Sequence, residues 1–185
     1  MMKNAVVLAL FALFAFGCAS TPVRATTAVA PPGHQAEAPP PAATPAAPAA
    51  SSRLSMTIPE GWSQAPADRV PDGMVGMLVN PSLRALIMVF TLTNNTPPAA
   101  AVTMLAGQLT SSGSGWTAST VQTSPDGNTA WITVDSGSGV HGRLVARRLR
   151  PTPAFTLVLM GQWPASSDAG GTAGIDDLAA SAAIE

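Results

Sequence analysis

Tyrosine is absent from this chain of 185 residues, cysteine occurs once, histidine twice, and lysine once, at Lys3. Each shortage excludes something. A single cysteine cannot form an intramolecular disulfide, and one histidine in the domain argues against a zinc site, which usually needs several His or Cys ligands. Only 10% of residues are charged. Beyond the first 17 residues, eight arginines face ten acidic residues, a net charge of −2. That balance does not suit a nucleic-acid partner. No apolar run approaches the roughly 20 residues that a membrane-spanning helix needs. No G-x-S-x-G, H-E-x-x-H or phosphate-cradling glycine loop occurs. No period of 20 to 50 residues repeats, which excludes a solenoid.

The longest apolar run is residues 5–16, preceded by Lys3 and closed by Gly17-Cys18. Its length and its basic flank predict the core of a secretory signal peptide. A small residue directly before the only cysteine resembles a bacterial lipobox. The resemblance implies cleavage before Cys18, thioether lipidation of its sulfur and acylation of the new amino terminus; the alternatives are ordinary signal-peptidase cleavage a few residues on, leaving a secreted protein, and an uncleaved hydrophobic anchor. Three acyl chains, at about 0.8 kcal/mol per buried methylene, make such attachment effectively permanent. Neither Ala19 nor Ser20 is acidic, which favours the outer membrane, facing the periplasm, in a double-membraned cell.

Residues 18–52 are rich in Ala, Pro, Thr and Ser and carry little charge. Such a segment cannot bury enough surface to offset the entropy of ordering, and its prolines bias it to polyproline II. It reads as a disordered tether reaching at most roughly 100 Å at about 3.1 Å per residue. His34 and Glu37 have no assigned role in it. The organisation expected is therefore a signal peptide over 1–17, a tether over 18–52 and one globular domain over 53–185.

Within the domain, residues 54–58 alternate apolar and polar, a strand pattern, and 74–79 form a second strand. Residues 84–93 are apolar on both faces, which predicts a central strand. Thr96 before Pro97 reads as a helix N-cap, and Val102, Leu105, Ala106 and Leu109 fall on one helical face. Residues 116–123 read as a peripheral strand, 124–128 as a hairpin turn and 129–135 as the returning strand. Strands over 140–150 and 154–161 follow. Residues 166–174 read as loop or frayed helix, and Ile175, Leu178, Ala179 and Ala182 as the buried face of a last helix, with Asp176 and Asp177 near its start. The order is β-β-β-α-β-β-β-β-α. It predicts an α+β domain with a mainly antiparallel sheet of about six to seven strands and helices packed on it.

The segment Met56-Thr57-Ile58-Pro59-Glu60-Gly61-Trp62 resembles the opening of the Mog/PsbP-like superfamily, an apolar strand followed by Pro, a variable residue, Gly and Trp. The closing strand and the helix bearing Ile175 and Leu178 are similar too. The resemblance spans residues 53–185 and implies an α/β/α sandwich. It also implies a binding or accessory module rather than an enzyme, with exported lipoproteins among the bacterial members. Photosynthetic relatives help organise a manganese-calcium site, but this chain offers no clustered ligands, so no metal residue is carried over. Relatives that bind a nuclear-transport GTPase supply no matching residue.

Two features of the domain invite a site. Arg143, Arg147, Arg148 and Arg150 place half of the chain's arginines within eight residues of one strand. By alternation Arg143 and Arg147 share one face and Arg148 and Arg150 the other. They are candidate contacts for an acidic partner or a lipid head group, against the plainer reading of a solvated or edge strand guarded by charge. His141 is the domain's only histidine, near Asp135, Ser136 and Ser138, but proximity in a turn supplies neither a held nucleophile nor an oxyanion hole. The expected function is a membrane-anchored envelope lipoprotein working as a binding or assembly-accessory module. It would have no cofactor and no metal, and its partners would be the membrane, through Cys18, and an envelope protein. The alternatives are a small-molecule or lipid carrier, which needs an enclosed apolar cavity, and a hydrolase whose site forms only in three dimensions.

Overall fold

The computed structural model describes residues 53–113 and 115–185. The expected signal peptide, Cys18 and tether lie outside the described residues.

The centre of the domain is set by strands buried on both faces. In β8 (Val140–Arg150), consecutive residues Leu144, Val145 and Ala146 are all buried. In β9 (Phe155–Pro164), the same is true from Thr156 to Gly161. Because consecutive side chains on a strand point to opposite faces, a buried run needs cover on both sides. The expected apolar strand is β4 (Ala85–Leu92), with Ile87, Met88 and Val89 buried in succession. β7 (Thr129–Asp135) buries Ala130, Ile132 and Val134 but keeps Trp131 half-buried on its other face.

Three short strands and β3 complete an antiparallel sheet. They are β2 (Ser63–Gln64), β3 (Gly76–Asn80), β5 (Thr117–Ala118) and β6 (Gln122–Thr123). The order is β2-β3-β4-β9-β8-β7-β5, with β6 also pairing β7. The sheet has eight strands, slightly more than the expected six to seven, because the strand expected over 116–123 breaks into β5 and β6. β8 is interior between β7 and β9, so its arginines do not guard a sheet edge.

The first helix, α1 (Pro98–Ser111), starts later than expected. Pro97 is its N-cap, and Thr96 lies outside it. α1 buries Ala101, Val102, Ala106 and Leu109 and packs on β7 and β8. The second, α2 (Asp168–Ser181), begins earlier than the helical face expected from Ile175 and takes in most of the stretch read as loop or frayed helix. Asp176 is therefore mid-helix, and Asp168 is the acid of the first turn. α2 packs on β8 and β9. Arg147 reaches α2 while its neighbour Arg148 reaches the entry to α1, so the helices lie on opposite faces of the sheet.

The core on the α2 side is built from Ile87, Val89, Val145, Leu157, Leu159 and Trp163 under Ile175 and Leu178. Two tryptophans press against the helix backbone. An added Cβ at Gly171 would lie 2.1 Å from the Trp163 ring, and one at Gly174 would lie 2.5 Å from Trp62 Nε1. The PEGW segment delivers one of these rings: Gly61 turns with φ +79, Trp62 N–H donates to the Pro59 carbonyl at 3.1 Å, and Trp62 is buried. The strand expected over 54–58 is only β1 (Leu54–Ser55). It pairs not with the main sheet but with β10 (Ala183–Ile184), which the sequence reading did not anticipate.

Candidate functional site

The arginine strand divides as alternation requires, and each guanidinium meets the chain's own groups. Arg143 and Arg147 lie on the α2 face, flanking Val145. Arg143 Nε is 3.0 Å from Asp176 Oδ1, and its guanidinium carbon stands 5.4 Å from the centre of the Trp131 ring. The Nε–H is not aimed at the carboxylate, so the contact is an ion pair without a well-aligned hydrogen bond. Partial burial raises the Asp176 carboxyl above its ordinary value, against the opposing pull of Arg143, and Asp177 adds to the rise.

Arg147 Nη1 donates to the carbonyls of Ala179 and Ala180, the latter at 2.7 Å. Last-turn carbonyls have no partner within their helix and carry the negative end of its dipole, so a cation there caps α2. Arg148 works on the other face. Its Nη2 donates to the Thr96 carbonyl at 2.5 Å and its Nη1 to Asn95 Oδ1 at 3.4 Å, fixing the approach to α1. A register shift between Arg148 and Arg150 breaks the alternation, and Arg150 Nε donates to the Pro153 carbonyl at 3.1 Å across the β8–β9 turn. The four candidates are thus not one patch. Arg143 and Arg147 share a surface, which Arg148 also borders although its guanidinium bonds on the other face.

That surface is a groove of about 650 Å³. α2 covers β8 and β9 and stops short of β7, so this end of the sheet face is open. Trp131, Arg143, Val145 and Arg147 form its floor. Asp176, Ala179 and Ala180 of α2 form one wall, and the β6–β7 turn, with Ser124, Asp126 and Asn128, forms the other. Asp126 is lowered to about 2, first by the Ser124 hydroxyl and then by the Asn128 backbone and side-chain N–H groups, so it stays charged.

A second groove, of about 520 Å³, lies between the β1–β10 pair and β3. Leu54, Met56, Ile58, Val75 and Met77 line it, and Ile58 and Val75 are 43% and 51% exposed. Both grooves open to solvent, so neither is the enclosed cavity that a carrier needs.

His141 stands between two carboxylates. Its Nε2 is 3.1 Å from Asp135 Oδ2 and its Nδ1 3.1 Å from Asp168 Oδ1. A neutral imidazole has one N–H and satisfies one of these; the doubly protonated ring satisfies both. Asp168 Oδ1 also accepts the indole N–H of buried Trp163 at 2.9 Å. That bond is the main reason its carboxyl lies below the usual range, with partial burial opposing and His141 and Arg143 adding to the fall. Ser136 and Ser138 bond each other at 2.7 Å. With a carboxylate on each ring nitrogen, His141 is placed to pin α2 to the β7–β8 hairpin, not to take a proton from a serine. Among the described residues no three His, Cys, Asp or Glu side chains gather as metal ligands, and no helix is long and apolar enough to cross a membrane.

Sequence reasoning named the arginines and His141 but missed their partners Asp168 and Asp176. The signal for Asp168 was an acid in the first turn of a helix whose glycines hid it.

No protein-family model and no curated protein matches the chain. Solved structures do. The Ran-binding protein Mog1p of Saccharomyces cerevisiae aligns with TM-score 0.51 at 17% identity, over 70% of this chain and 88% of that one. LpqN of Mycobacterium tuberculosis, described as involved in cell envelope biogenesis, aligns with TM-score 0.49 at 16% identity, over 72% and 84%. At these identities the likeness concerns the fold: a mainly antiparallel sheet with two helices packed on it, the Mog1/PsbP-like fold.

Proposed function

We propose that this chain is an exported envelope lipoprotein, anchored through lipidated Cys18. Its domain over residues 53–185 binds a protein partner through the groove beside α2 and works as an accessory module, without chemistry of its own. The observation that carries the reading is the open sheet end. Half-buried Trp131, Arg143 and Arg147 line the groove there, and the arginines are already held in place by Asp176 and by the end of α2. Aromatic and arginine side chains are those most enriched at binding hot spots, and groups fixed beforehand lose little entropy on association. Mog1p is itself described as a Ran-binding protein, which agrees with a binding use of this scaffold. The signal-peptide pattern and the cysteine at its end support the envelope location and the anchor.

The test uses the full tagged chain in its own membranes. Chemical crosslinking and purification recover a partner. The substitution Ala180→Trp fills the groove from an exposed position and removes that partner without unfolding the domain. Undiminished recovery with Ala180→Trp, or no partner at all, contradicts the reading. Cys18→Ser moves the protein from the membrane to the aqueous fraction; retention on the membrane sinks the anchor.

A further inference from the structure

We infer that the groove beside α2 recognises an acidic polypeptide segment, with one of its carboxylates seated on the free edge of Arg147. The inference rests on the binding reading above and names the chemistry that the partner presents.

Arg147 spends only Nη1 on α2. Its Nε and Nη2 have no partner among the described residues, although the side chain is held in place by two carbonyls. A guanidinium offers five N–H donors in a rigid fork, and an unused edge with two parallel donors matches the two oxygens of a carboxylate. The helix carbonyls fix where that edge sits. Lysine in this place would bond the carbonyls as a point charge and present no second edge.

The charge balance of the groove selects the ligand further. Arg143 and Arg147 bring two guanidinium groups, and Asp126 and Asp176 two carboxylates, into the same lining; Arg148 also lines it, but its guanidinium is held by Thr96 and Asn95 on the other face. A ligand rich in negative charge, such as a phosphate ester or an anionic membrane surface, gains at the arginines and loses at both acids. A polypeptide carries a single carboxylate on one side chain and N–H donors along its backbone, and so can satisfy cations and carboxylate oxygens together. The spacing agrees. Arg143 and Arg147 are four residues apart on β8, about 13 Å at roughly 3.3 Å per residue, the reach of some four extended residues. Half-buried Trp131 gives such a segment an apolar contact between them.

Three probes decide this on the full chain in detergent micelles: the capped peptide acetyl-Ala-Asp-Ala-Ala-amide, its Asn counterpart and inorganic phosphate. Nitrogen-15 NMR follows the Arg147 Nε–H and Trp131 indole resonances. The Asp peptide moves both in a saturable way, and the Asn peptide and phosphate bind roughly tenfold more weakly or less. Arg147→Lys keeps the α2 amide pattern and loses most of the Asp-peptide affinity. The inference is overturned if the Asn peptide binds as tightly, if phosphate binds more tightly than the Asp peptide, if Arg147→Lys leaves affinity unchanged, or if neither resonance moves at about 10 mM peptide. Should crosslinking still yield a partner that Ala180→Trp abolishes, this inference alone fails and the binding reading stands. A bound Asp peptide with no cellular partner gives the reverse result.

Discussion

Asp168 shows how one side chain joins three elements. Its Oδ1 accepts the Trp163 indole N–H at 2.9 Å and meets His141 Nδ1 at 3.1 Å, so the start of α2 is tied to both β9 and β8. These partners lower its carboxyl below the ordinary 3.8. The folded state therefore holds this proton less readily than the unfolded chain. The stability it contributes is complete above pH 3.8 and is lost as pH falls through the lowered value. Asp168 is half exposed, so solvent screening keeps the ionic part small, about 0.5 kcal/mol. Asp168→Asn still accepts the indole N–H but loses the charge. Thermal unfolding followed by circular dichroism is expected to show a slightly lower midpoint at neutral pH and a shallower decline below pH 3.8 than the parent protein. An identical acid limb would remove Asp168 from the account. Asp176 has the opposite sign: its raised carboxyl is a cost when charged, relieved as pH falls through its folded value.

At the scale of the element, α2 explains why part of the fold was hidden. Gly170, Gly171 and Gly174 make its first half a poor helix by propensity, so the stretch reads as loop or frayed helix. Packing decides otherwise, because a Cβ at Gly171 or Gly174 would collide with Trp163 or Trp62. Gly171→Ala is expected to destabilise the domain by about 3 kcal/mol through overpacking against an aromatic ring. Gly107, exposed on α1 with nothing within 4 Å of an added Cβ, is the control. Gly107→Ala should stabilise by about 1 kcal/mol. Urea unfolding midpoints with unchanged slopes measure both, and equal effects at the two sites would refute the packing argument.

The elements read correctly were those whose periodicity is strong: β4, β7, β8 and α1. Their alternation or helical spacing reports burial directly. The two-residue strands β5, β6 and β10 carry no period to read. The candidate site was half legible for a similar reason. Residue types and the shared face of Arg143 and Arg147 follow from alternation along β8. Their partners lie some thirty residues away on α2, where only the fold brings them close.

At the scale of the whole molecule, the domain's ends are joined. Arg53 and Glu185 exchange two backbone hydrogen bonds, at 3.1 and 2.9 Å, and β1 and β10 pair beside the second groove. The described domain therefore begins beside Glu185. This closure is a small local unit, and its loss should not unfold the sheet. Deleting residues 183–185 is expected to abolish hydrogen-exchange protection at Arg53 and Ser55 while leaving Leu144 and Leu159 protected. Loss of protection throughout would mean that the closure supports the whole fold.

The proposed binding surface is the open sheet end beside α2. A photo-crosslinking amino acid placed at Ala180, on the wall of that groove, tests it against the same group at Met104, 50% exposed on α1. In intact cells carrying the full chain, the account predicts a discrete crosslinked species from position 180 and none from position 104. Equal crosslinking from the two positions, or a species from position 104 alone, would contradict it.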